Sequence, residues 1–192
     1  MNDNFTPDKW IQKAVAKGSK YGISAREWMT VNWGSFACDG IRIHYDHTIP
    51  PRDDTDGIIP NGYISKIVEW VSEDETIKHC ATFPNPTALL KAARACRKTK
   101  TKSVTLKVSK GVTHILPLDY EHPNDITFAI DLECTYENRT AYDEKIQLNA
   151  KYLIDALSGM DKDKELHIRH KREAVHITDG TRVAYIMRVH AP

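Results

Sequence analysis

One eight-residue pattern occurs twice in the chain, as Cys38-Asp39-Gly40-Ile41-Arg42-Ile43-His44-Tyr45 and as Thr178-Asp179-Gly180-Thr181-Arg182-Val183-Ala184-Tyr185. Both copies read x-Asp-Gly-x-Arg-aliphatic-x-Tyr. Asp-Gly between alternating apolar residues marks a hairpin turn or bulge, because glycine reaches positive φ without steric cost. Each copy also lies at a similar distance from the start of a helix-like segment. A chain that repeats a helix followed by hairpin strands is held to an α+β fold of repeated helix-plus-antiparallel-sheet units.

Three such helices are expected. The first opens at Thr6-Pro7, stops at Gly18 and turns Trp10, Ile11, Ala14 and Val15 inward, leaving Lys9, Lys13 and Lys17 at four-residue spacing on another face. The second opens at Asn85-Pro86 with Leu89, Leu90, Ala93 and Cys96 inward and Lys91, Arg94 and Lys98 outward. The third is capped by Asn149, buries Leu153, Ile154, Ala156 and Leu157 and stops at Gly159. It carries Lys151 beside Asp155 and is not clearly basic. After the middle helix, Val104–Val108 and Val112–Leu116 form a looser copy of the hairpin around Lys110-Gly111. Pro50 to Gly57 reads as a loop or linker. Tyr63 to Val71 reads as extended from its β-branched and aromatic content, although periodicity alone does not choose between a strand and a short helix.

At 192 residues the chain can bury a substantial core, and 41% hydrophobic with 28% charged residues excludes a disordered or low-complexity polymer. No apolar run approaches the roughly 20 residues of a membrane span, and the first residues lack the pattern of a signal peptide, so no membrane partner and a cytoplasmic location are expected. Cys38, Cys80, Cys96 and Cys134 are widely spaced, which points to buried free thiols rather than disulfides or zinc.

The net charge of +1 conceals an uneven distribution. Lys9 to Arg26 holds five basic residues and no acid, and Thr76 to Leu118 holds nine and again no acid. Asp119 to Glu165 holds twelve acids against five basic residues. Such blocks fit a surface that meets a polyanion, with acidic surface turned elsewhere; solvated basic helices are the simpler alternative.

The segment Gln147-Leu148-Asn149-Ala150-Lys151-Tyr152-Leu153-Ile154-Asp155-Ala156-Leu157 resembles the helix that opens the last half-domain of bacterial DNA polymerase III beta subunits, the sliding clamps. Val175 to Gly180 and Ala184 to Val189 are similar to that family's final strands. Ala37-Cys38-Asp39-Gly40-Ile41-Arg42-Ile43 resembles the Ala-Thr-Asp-Gly-aromatic/His-Arg-Leu signature of its middle domain. The resemblance implies a shortened, phage-type or divergent homologue with the DNA-clamp fold. Residues 1–80 would be an abridged middle domain with a linker, and residues 81–192 one complete clamp domain.

What the resemblance implies about function follows residue by residue. Clamp helices line a hole around duplex DNA, so Lys9, Lys13, Lys17, Lys91, Arg94 and Lys98, extended by Arg97, Lys100 and Lys102, become candidate phosphate contacts that bind without reading sequence. The family also docks short peptide motifs from polymerases and repair proteins in an apolar pocket. Cys38, Gly40, Ile41, Arg42 and Ile43 would form one wall and Met187 and Val189 the other. Arg188 stands where the family has proline. The implied protein is a processivity factor in DNA replication, in a homo-oligomeric ring; a non-ring clamp-fold protein that binds or regulates replication proteins is the alternative.

Catalysis finds little support. His44-Tyr45-Asp46-His47 gathers two imidazoles and a carboxylate, but on a strand His47 points away from His44 and Asp46. There is no nucleophile elbow, Walker loop or dinucleotide fingerprint. The expectation is a non-enzyme with no cofactor and no metal.

Overall fold

The computed structural model describes residues 9–14, 29–31, 34–38, 41–48, 79–100, 102–109, 111–117, 128–136, 144–171 and 174–189. In chain order the elements are α1 (Lys9–Gln12), β1 (Met29–Val31), β2 (Gly34–Cys38), β3 (Arg42–Asp46), β4 (His79–Phe83), α2 (Thr87–Arg97), β5 (Ser103–Ser109), β6 (Val112–Leu116), β7 (Ile130–Glu133), β8 (Thr135–Tyr136), β9 (Glu144–Asn149), α3 (Ala150–Leu157), β10 (Leu166–Lys171), β11 (Ala174–Thr178) and β12 (Arg182–Met187).

These strands make two sheets, one of order β1-β2-β3-β12-β11-β10-β4-β8 and one of order β7-β6-β5-β9. Every pairing is antiparallel. The fold is α+β, as the repeated helix and hairpin pattern requires. The eight-stranded sheet runs unbroken from the N-terminal segment into the C-terminal one through β3 and β12. Arg182 lies opposite Asp46, Val183 opposite Tyr45 and Tyr185 opposite Ile43. The two copies of the repeated pattern are therefore direct neighbours, and the tyrosine of each faces the aliphatic residue of the other.

The helices follow their apolar spacing. In α2, Leu89, Ala92, Ala93 and Cys96 are buried and Leu90 is half-buried; in α3, Leu153, Ile154, Ala156 and Leu157 are buried. The two helices pack on each other, α2 over β5, β6 and β7, and α3 against β9 and β12, while α1 rests on β2 and β3. Leu106, Ile115, Leu148, Leu166, Ile177 and Ile186 meet them from the sheets, fully buried, each contributing about 1.5–3 kcal/mol of apolar transfer.

Caps set the helix boundaries. The Asn149 side chain accepts the Lys151 N–H at 2.9 Å, and the Asn85 side chain accepts the Thr87 N–H at 3.0 Å from one residue ahead of the Pro86 cap position. Such a bond is worth about 1 kcal/mol. Lys102, at φ 52, presents its carbonyl to the Ala150 N–H at 3.0 Å and so ties the exit of α2 to the entry of α3.

In the second Asp-Gly turn, Gly180 sits at φ 85, and Asp179 Oδ1 accepts the N–H groups of Thr181 at 2.8 Å and Arg182 at 2.7 Å. Its Oδ2 accepts the Asp161 N–H at 2.7 Å, so the same aspartate anchors the loop that leaves α3. The first copy's Asp39-Gly40, the end of the first helix, the Pro50–Gly57 linker and the Tyr63–Val71 segment lie outside the described residues.

Candidate nucleic-acid interface

The outer face of α2 follows from its inner one. With Leu89, Ala93 and Cys96 turned to the core, helical spacing puts Lys91, Arg94, Arg97 and Lys98 on the exposed side, and all four are exposed. Lys100 and Lys102 continue the exposed basic run past the helix. No acidic residue occurs in α2, and among the described residues none of these four cations, three on the helix and Lys98 at its C-cap, is paired with a carboxylate. Lys9 and Lys13 of the first helix are also exposed, and Lys13 Nζ donates to Ser158 Oγ at the end of α3, 2.5 Å away. That bond brings the basic side of the first helix next to the third. Lys17 lies outside the described residues.

In α3 Lys151 is exposed, while Asp155 turns to Arg42, Nη1 to Oδ2 at 2.6 Å. Arg42 is 7% exposed; its guanidinium lies 4.6 Å from the centre of the Tyr152 ring, and Nη2 donates to the carbonyl of Lys13. By spacing alone, Lys151 and Asp155 offset each other on this helix. The partner that removes Asp155 from that balance is 113 residues away, and helical periodicity carries no signal of it.

Trp10 fixes the first helix. Its indole Nε1–H donates to the Ala156 carbonyl at 2.8 Å, its ring stacks on His44 at 4.4 Å and 13°, and the Arg182 guanidinium lies 5.2 Å from its centre. His44 Nδ1 lies 2.8 Å from the Trp10 carbonyl. Arg182 donates through Nε to Asp46 Oδ2 at 2.8 Å and through Nη1 to the Gly159 carbonyl at 2.5 Å. His44 and Asp46 share one face of β3, as strand alternation requires, and both are committed to these contacts. Burial would raise the Asp46 carboxyl, but hydrogen bonds from the Thr48 hydroxyl and N–H, with Arg182, outweigh it and hold the group below its ordinary value.

The residues proposed for peptide docking divide between two faces of the sheet. The Met187 N–H donates to the Ile41 carbonyl at 2.8 Å, and Ile43 lies opposite Tyr185, so Ile41, Ile43 and Met187 share the face turned away from the helices. Ile43 is buried, and Ile41 and Met187 are half-buried. Arg42 points the other way, into the helix layer. Cys38 pairs with Ile43 in the strand register, and Gly40 lies outside the described residues. Past β12 the chain reaches the second sheet, where the Val189 N–H donates to the Gln147 carbonyl at 2.9 Å and the Arg188 guanidinium to the Lys145 carbonyl at 2.7 Å. Val189 is 39% exposed. Arg188 and Val189 thus fasten the segment after β12 to β9.

No protein-family model and no curated protein matches the sequence. Solved structures do match. A Caulobacter crescentus beta sliding clamp aligns with TM-score 0.67 and 15% identity over 94% of this chain and 62% of its own. The DNA polymerase III subunit beta of Pseudomonas aeruginosa aligns with TM-score 0.70 and 14% identity over 94% and 62%. A structure described as a DNA polymerase III beta subunit of Eubacterium rectale aligns with TM-score 0.72 and 15% identity over 94% and 61%. The chain spans about six-tenths of the length of these clamps. Their agreement over nearly all of its own length is the conclusion to which the helices, the paired Asp-Gly hairpins and the two antiparallel sheets lead: the chain has the fold of the bacterial DNA polymerase III beta sliding clamps.

Proposed function

We propose that this chain is a DNA sliding clamp or clamp-like processivity factor of replication, acting in the cytoplasm, which holds duplex DNA through phosphate contacts and performs no catalysis. The observation that carries the reading is the outer face of α2 with its C-cap, four exposed cations and no acid, displayed on a fold shared with bacterial clamps. Lys9, Lys13, Lys100 and Lys102, all exposed, are further candidate phosphate contacts, as by sequence is Lys17, which lies outside the described residues. Contacts of this kind neutralise phosphates, release counterions and carry no base information, which suits a protein that slides. Polymerases and other replication proteins dock by short peptide motifs along Ile41, Ile43, Met187 and Val189, with Cys38 and Gly40 as further candidates by sequence, and copies of the chain close a ring around the duplex.

Fluorescence anisotropy with two unrelated duplexes, read between about 50 and 200 mM salt, tests the DNA reading. Equal affinities that fall steeply with salt are expected. A strong preference for one sequence, or no duplex binding at the lowest salt, contradicts it. Light scattering at micromolar concentration separates a ring from its alternative, since a chain that binds replication peptides as a monomer is a non-ring interaction protein.

A further inference from the structure

Asp155 is the sole carboxylate on the three described helices, and it is the one that Arg42 holds. On α3 it lies between Lys151 and Ser158, both exposed, and Ser158 receives Lys13 Nζ. An unpaired Asp155 would place a negative charge within a turn of the cations of the first and third helices. At about 0.1 M salt the Debye length is roughly 10 Å, so that charge would act on any phosphate held there. Arg42 reaches this spot from β3, in the other half of the joined sheet, with its guanidinium shared between Asp155, the Lys13 carbonyl and the Tyr152 ring.

We propose that Arg42 is a positioning residue for duplex binding, which cancels Asp155 and fixes the first helix so that Lys9 and Lys13 join the basic surface of α2. The proposal rests on the duplex reading above. Its logic is an asymmetry of sign. Breaking the pair at Arg42 leaves a bare carboxylate facing phosphate, whereas breaking it at Asp155 leaves a bare guanidinium. A pair that only supports the fold responds alike from either end.

The test compares Arg42→Met, Asp155→Asn and the double variant in duplex anisotropy at fixed low salt, with thermal melting of each. We expect Arg42→Met to weaken duplex binding on the order of 10-fold and Asp155→Asn to tighten it by on the order of 3-fold. The double variant should lie between them, while the single variants melt at similarly lowered temperatures. Equal weakening by both single variants, or no change in either, overturns the proposal. Should Arg42→Met fail to fold, Asp155→Asn decides alone, since weakened binding by that variant also overturns it. A parent chain that binds no duplex defeats the duplex reading itself, whereas a parent that binds and loses binding on α2 charge reversal, with both pair variants unchanged, defeats only the role of Arg42.

Discussion

Gly159 leaves the space that the Trp10 indole fills: a β-carbon built at residue 159 collides with the Cδ1, Cγ and Nε1 atoms of that ring. Glycine stands there for close approach, and the clash comes from a side chain that enters from the far end of the sequence. Gly159→Ala should therefore destabilise the chain by about 1–3 kcal/mol through overpacking. In a Trp10→Ala background, itself weaker by about 3–5 kcal/mol, the same substitution should be close to neutral. Denaturant melts of the four members of the cycle check this, and additive costs would refute the contact.

Stability should fall on acidification in a way that Asp46→Asn removes. The Asp46 carboxyl is held below its ordinary value of 3.8 against the opposing effect of burial, by Thr48 and Arg182. A depressed folded-state pKa contributes stability that is complete above the unfolded value and is lost as pH falls from 3.8 through the folded value. Tyr45 sets the alkaline side. Burial, with the nearby Asp46 charge, pushes its phenol up to about 12 from 10.0, so its neutral form contributes stability below pH 10 that is lost as pH rises toward 12. Urea midpoints across pH, with Asp46→Asn and Tyr45→Phe, check both limbs.

Cys96 should resist alkylation in the folded chain. It is fully buried on the inner face of α2, and burial pushes its thiol up to about 11. Since the thiolate is the reacting species, modification should track global unfolding. Mass spectrometry after iodoacetamide treatment, with and without denaturant, reads this directly; rapid labelling of the native chain at Cys96 would mean that α2 opens locally.

Met187→Ala should weaken a bound clamp-binding peptide by on the order of 1–2 kcal/mol while leaving duplex affinity nearly unchanged. Titration calorimetry with the peptide and anisotropy with DNA separate the two. Equal loss in both would indicate destabilisation of the β3–β12 junction rather than removal of a docking contact.

Much of this fold was legible because its signals are local. The Asn149 cap, the inward stripe of Leu89, Ala93 and Cys96, and the Asp179-Gly180 turn each declare themselves within a few residues. Cation exposure on α2 followed from the same stripe. The clamp resemblance set the β3 and β12 residues as two walls of one pocket, but their antiparallel pairing comes from the structure, since spacing along the chain says nothing about which strands meet. Arg42 shows the limit most clearly. Its place beside Ile41 and Ile43 suggested a docking wall, but strand alternation turns it to the opposite face, toward an aspartate 113 residues away. Trp10 was read as one more apolar position, yet its partners Ala156, Gly159, His44 and Arg182 come from three other segments. Contacts that depend on how separate elements pack leave no periodicity to read.

The most direct test of the account is the salt dependence of duplex binding for the parent chain and for Lys91→Glu/Arg94→Glu/Lys98→Glu. If these three cations face phosphate, the variant should lose most of its low-salt affinity for every duplex equally, and its log affinity against log salt slope should be shallower by about 3 units. An unchanged slope and affinity in a variant that melts like the parent would contradict the duplex-holding role.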